Sequence, residues 1–159
     1  MSRKKKENEI DTAKDTAFRF LSYRSRSVLE VKRKLQEKEF SPHTIRATLS
    51  RLMELGYLND QEYATAVARS SIENKQWGPI RIHDALLKKG IAKDIIDNTL
   101  EELTKNYDLI RVARLAFDSK FSLTPEQLAE EKTRRKVMGY LKRKGFSWNT
   151  ILAVIRSVD

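Results

Sequence analysis

Two clusters of cations are the side chains of this chain best suited to chemistry. Lys32, Arg33 and Lys34 run together with Arg24 and Arg26 just ahead of them. Arg134, Arg135 and Lys136 are followed by Lys142, Arg143 and Lys144. Arginine offers a planar fork of donors and lysine a compact point charge, and both bind phosphates and carboxylates. The chemistry these clusters point to is contact with a polyanion or with an acidic protein surface, weakening steeply as salt rises. The competing reading is that they are solvated helix faces.

Other constellations are missing. His43 follows a proline at a helix start and His83 lies beside Ile82, and neither has a ligand partner three or four residues on, so both read as structural or surface residues. The chain contains no Cys, which excludes disulfides, thiolate chemistry and cysteine-based zinc sites. No GxxxxGK[ST] phosphate loop occurs. The pairs Glu101-Glu102 and Glu130-Glu131 sit among lysines and arginines, as on a salt-bridged surface. No catalytic set, metal site or cofactor is expected. Trp77 and Trp148 are read as packing residues at helix junctions, with stacking on a base or a partner groove, for them or Tyr140, as the alternative.

The 159 residues are 40% hydrophobic and 34% charged, with a mean hydropathy of -0.61, which suits several small cores better than one large one. Five Gly and three Pro leave little room for long loops, and the wealth of Leu, Ala, Lys, Arg and Glu favours helices. The formal charge is +10 and the pI about 9.8. The excess sits in residues 17–58 and 107–159, whereas 59–106 hold seven basic and eight acidic residues. The start MSRKKKENEI leads into no apolar stretch, so no signal peptide is read there, and no run is long enough to cross a bilayer. A cytoplasmic protein with no membrane contact is expected.

The elements that must position the cations are visible as a repeat. KLQEKEF at 34–40, ALLKKGI at 85–91 and YLKRKGF at 140–146 align at offsets of 51 and 55. The same offsets align Val31, Ile82 and Val137; Leu35, Leu86 and Leu141; and Phe40, Ile91 and Phe146. Downstream they align Ile45, Ile96 and Ile151; Leu49, Leu100 and Ile155; and Leu52, Leu103 and Val158. The steps of three and four are helical. Gly90 and Gly145 stop a helix in the left-handed conformation, with Ile91 and Phe146 folding back onto the last turn. The first copy has Glu39 there, so a turn of different shape is expected.

Start signals complete the pattern: Ser27-x-x-Glu30, Ser41-Pro42, Asn59 with Glu62, Gly78-Pro79, and Thr124-Pro-Glu-Gln127. A further helix precedes each aligned pair, at about 10–24, 60–75 and 107–121. The fold class expected is all-α, with nine helices in three tandem three-helix repeats, forming an elongated, curved array. Its parts are a flexible basic tail over 1–9 and repeats over 10–58, 59–106 and 107–159.

The stretches AFRFLSYRSRSVLEVKRKL, LMELGYLNDQEYATAVARS, WGPIRIHDALLKKGI and YLKRKGFSWNTILAVI resemble the RecX family of regulators of the bacterial recombinase RecA. The resemblance covers about residues 13–158. It is carried most specifically by Arg24-x-x-Ser27, Gly-x-Leu-x-Asp at 56–60, and Gly78-Pro79 leading into LLKKGI. It implies three tandem three-helix repeats and a non-enzymatic, monomeric modulator. Such a protein binds RecA and its nucleoprotein filament along the groove, lowers ATPase, strand-exchange and coprotease activity, and in many cases binds single- or double-stranded DNA. Two other functions compete. One is a DNA reader or coater built on repeats 1 and 3. The other is a nuclease, which would need clustered carboxylates for divalent metal that the chain does not show.

Overall fold

A computed structural model describes residues 3–158, with side chains from residue 8 onward. Among them are ten helices: α1 (Arg3–Tyr23), α2 (Val28–Glu37), α3 (Pro42–Glu54), α4 (Asp60–Lys75), α5 (Pro79–Lys88), α6 (Lys93–Asn106), α7 (Leu109–Lys120), α8 (Pro125–Ala129), α9 (Glu131–Lys144) and α10 (Trp148–Arg156). The fold is all-α. Every extensively packed helix pair lies within one of three groups: α1–α3, α4–α6, or α7–α10.

Two expectations need correction. Residues 1–2 lie outside the described residues, but α1 already runs from Arg3, where a flexible tail was expected. The stretch has no Gly or Pro to end a helix. Glu9 also anchors it, accepting from the Ser41 N–H at 3.0 Å where α3 begins. Secondly, ten helices replace nine, because the third group carries the short α8. Thr124 and Gln127 form a capping box that starts it, and Glu130 breaks it with an extended backbone. In one unbroken helix Leu128 and Val137, nine residues apart, would face opposite ways. The break lets both be buried, at 1% and 0% exposure.

The turns after α2, α5 and α9 share one form. Glu39, Gly90 and Gly145 have φ of 60, 73 and 94°. In each turn the next residue's N–H closes a six-residue bond to the helix: Phe40 to Leu35 O, Ile91 to Leu86 O, and Phe146 to Leu141 O, at 3.2–3.3 Å. The expected difference at Glu39 is therefore absent. The glycines answer a second demand, close packing between repeats. A Cβ on Gly90 would lie 2.4 Å from Leu29 Cδ2, and one on Gly145 would lie 2.4 Å from the Arg81 backbone nitrogen. Glu39 is exposed and meets no such neighbour.

Each of the two glycine turns docks on the start of the second helix of the repeat before it. Lys89 O accepts from Ser27 Oγ at 2.7 Å at the start of α2. Lys144 O accepts from the Gly78 N–H at 2.7 Å and Gly145 O from the Ile80 N–H at 3.1 Å at the start of α5. The negative end of one helix thus meets the positive end of another. Gly78 allows the approach, since a Cβ there would be 2.3 Å from Gly145 O. The matching seat in the third repeat falls at Thr133–Lys136. There α9 has already begun at Glu131, three residues earlier in the repeat than α2 and α5, so the counterpart of the Ile80 N–H, that of Arg135, lies inside the helix. Its own chain fills that seat.

The apolar interior is in two parts. Ala13, Ala17, Val31, Leu35, Ile45, Leu49, Leu52 and Leu58 form a core of the first repeat alone. The second core is continuous through the second and third repeats, from Tyr63 to Ile155.

Candidate functional site, a cationic cleft between repeats

Docking of the α9 turn on the start of α5 leaves a cleft of about 430 Å³. Five cations line it: Arg81, Lys88 and Lys89 from α5 and its turn, and Lys142 and Arg143 from α9. The one carboxylate among them, Asp84, stands 3.2 Å from the His83 ring. Trp77, Ile80 and Ala85 supply the apolar wall.

The helix patterns explain this arrangement. α5 buries Ile82 and Leu86, which turns Arg81, Lys88 and Lys89 toward the rim. α9 buries Val137 and Leu141, which sends Lys142 and Arg143 outward in its last turn, where exposed carbonyls favour cations. Arg81 stacks on Trp77 at 4.1 Å from the ring centroid, and its Nη1 donates to Arg143 O at 3.2 Å. Lys75 also lies over that ring at 4.7 Å. Lys144 turns away and donates to Lys75 O at 2.7 Å. Lys89 pairs with Glu30 at 2.8 Å. Among the described residues no carboxylate pairs with Lys88, Lys142 or Arg143, so these three cations are available to a ligand.

The remaining candidate cations are dispersed. Arg24 pairs with Glu30 at 2.8 Å. Arg26 lies over the Phe20 ring at 4.0 Å with its Nε buried, a packing role. Lys34 pairs with Glu37 at 3.2 Å. Lys32 and Arg33 are exposed on α2, and Arg134 and Lys136 on α9. Arg135 pairs with Glu131 on its own helix. Gly90, Ile91, Gly145 and Phe146 form the docking turns, with Ile91 and Phe146 each 2% exposed. Trp77 is half-buried at the cleft, whereas Trp148, read as a packing residue, is 53% exposed.

Arg81, Lys88 and Lys89 were missed because the middle repeat has a net charge near zero. Its carboxylates cluster on α6, where Glu101 and Glu102 both pair with Lys105. Residues 78–90 alone hold three cations and one carboxylate. Charge counted per helix instead of per repeat would have found them.

A second polar cluster joins repeats 1 and 2. Glu30 accepts from Arg24 and Lys89 at 2.8 Å each and from the Ser27 N–H at 3.1 Å. Burial opposes its ionisation, but these donors outweigh burial and hold its pKa at about 2. Beside it Asp60 accepts from the Val28 N–H at 2.9 Å, and burial raises its pKa despite that bond. Among the described residues no group of three or more His, Asp or Glu could hold a metal, and no helix is long and apolar enough to cross a membrane.

Three family models match the chain in order: the first three-helix domain of RecX over residues 13–52, the second over 59–100 and the third over 107–155. The regulatory protein RecX of Pelodictyon phaeoclathratiforme is 33% identical over 94% of this chain and 91% of its own length. That of Bacillus subtilis is 32% identical over 96% of this chain, which spans 57% of the relative. The crystal structure of RecX from Lactobacillus salivarius superposes with a TM-score of 0.80 at 25% identity, over 96% of this chain and 98% of that one.

Proposed function

The chain belongs to the RecX family, and on that premise we propose that it is a non-enzymatic regulator of the recombinase RecA. It acts as a cytoplasmic monomer, binds RecA and the groove of its nucleoprotein filament, and lowers ATPase, strand-exchange and coprotease activity. The observation that carries this reading is the cleft at the joint of repeats 2 and 3. There repeats 2 and 3, which share one core, present Lys88, Lys142 and Arg143, which no carboxylate pairs with among the described residues. Cationic surface of this kind suits an extended anionic assembly. The test is RecA ATPase on single-stranded DNA, with filament length measured in parallel, as this protein is titrated in. Both should fall. Unchanged turnover and length at saturation would reject the reading.

The exposed cations Lys32, Arg33, Arg134 and Lys136 favour a second reading, in which repeats 1 and 3 bind DNA directly. Binding to naked duplex and single strand, measured from 50 to 200 mM salt, checks it. Lys32→Glu and Arg134→Glu each take away a partner for one phosphate, so each should lower the log-log salt slope by about 1.

A further inference from the structure

We propose that the cleft between α5 and α9 seats a short acidic peptide segment of a protein partner, not nucleic acid. An apolar side chain would rest against Ile80 and Ala85, with flanking carboxylates on Lys88, Lys142 and Arg143. The inference rests on the reading above that the partner is a protein, and it names the chemistry of the contact.

Three observations carry it. The first is that the site is preformed. Its two walls belong to repeats that share one core, and three bonds to the α9 turn, from the Gly78 and Ile80 N–H groups and from Arg81, hold them together. A volume of about 430 Å³ falls within the range of roughly 300–1,000 Å³ usual for ligand sites. The second is charge. Cations from two helices face the same space, and its only carboxylate, Asp84, lies against His83. The third separates peptide from nucleic acid. Ile80 is 54% exposed among the cations that line the cleft. A sugar-phosphate backbone gains nothing from such a residue, whereas a peptide pairs an apolar anchor with polar contacts around it. Binding of single strands relies on open aromatic faces for the bases. The one aromatic ring here, Trp77, already lies under Arg81 and Lys75.

The test uses the full chain and a fluorescein-labelled pentapeptide of four acidic residues around a central leucine. A second peptide has serine in place of the leucine, and an eight-nucleotide oligothymidylate serves as competitor. In a Trp148→Phe background Trp77 is the sole indole and reports the cleft. The leucine peptide should bind and shift Trp77 emission, and the serine peptide should bind several-fold more weakly. Lys88→Glu and the double change Lys142→Glu/Arg143→Glu should each lower affinity about tenfold or more. The two variants alter different helices, so loss in both with unchanged helicity excludes misfolding. Failure of the peptide to bind would overturn the proposal, as would oligothymidylate displacing it and shifting Trp77 emission in its place. RecA ATPase measured with the same preparations separates the two levels. Inhibition by a protein that does not bind the peptide refutes this inference alone. Peptide binding by a protein that leaves RecA untouched supports the cleft and refutes the RecA reading.

Discussion

Glu39, Gly90 and Gly145 hold the same left-handed backbone, and what separates them is the space beyond the Cα. The Cβ of Gly145→Ala would press on the backbone of Arg81, which cannot move without disturbing the start of α5. That of Gly90→Ala would press on the side chain of Leu29, which can turn away. Both changes also strain the positive φ. Urea unfolding should therefore show a loss of about 3 kcal/mol for Gly145→Ala and about 1–2 kcal/mol for Gly90→Ala, the latter partly restored by Leu29→Ala. Glu39→Gly, at a position with open space, should instead gain about 1 kcal/mol. Equal losses at both glycines would mean that φ alone decides. The sequence makes the helix stop legible, since a glycine before an apolar residue is a local signal. The close approach was not legible, because it depends on how one repeat lies on the last.

At the scale of elements, the aligned apolar columns carried most of the fold: Val31, Leu35, Ile82, Leu86, Val137 and Leu141 are all fully buried. Their spacing states which face of each helix points inward, and the capping signals state where α2, α3 and α5 begin. The break before α9 was hidden because every residue from Pro125 to Lys144 is compatible with one helix, and only the joint burial of Leu128 and Val137 requires two. The joint between the first two repeats was hidden as well, since Arg24, Glu30 and Lys89 are ordinary surface types until the turn docks. Glu30 makes that joint sensitive to acid. Its folded pKa of about 2 lies below the unfolded value of about 4.3, so its contribution is complete above pH 4.3 and fades as pH falls toward 2. Glu30→Gln should cost on the order of 2 kcal/mol at pH 7 and much less at pH 2.5, measured by denaturant unfolding at both. An equal cost at both would show that the carboxylate charge does not hold the joint.

The whole molecule is two bodies in terms of burial, one repeat and then a fused pair. The joint between them is mainly polar: the Ser27, Asp60 and Glu30 bonds, beside the contact of Leu29 with Gly90. Stability in tandem arrays is close to a sum of unit and neighbour contributions, so the first repeat should open by itself. Native-state hydrogen exchange should give the buried amides of α2 and α3 a lower opening free energy than those of α5, α6, α9 and α10, which should exchange together. One common value throughout would mean the polar joint couples as strongly as a core. The candidate site shows the same division, since the charge of a repeat says little about a cleft built from parts of two. The filled seat at the start of α9 bears on how a protein like this can lengthen. A copy of the middle unit spliced in beside the original would find a berth ahead of it and offer one behind, with no new kind of contact. A unit appended after the last would find none until the opening turns of α9 unwound, so growth from within is the easier route.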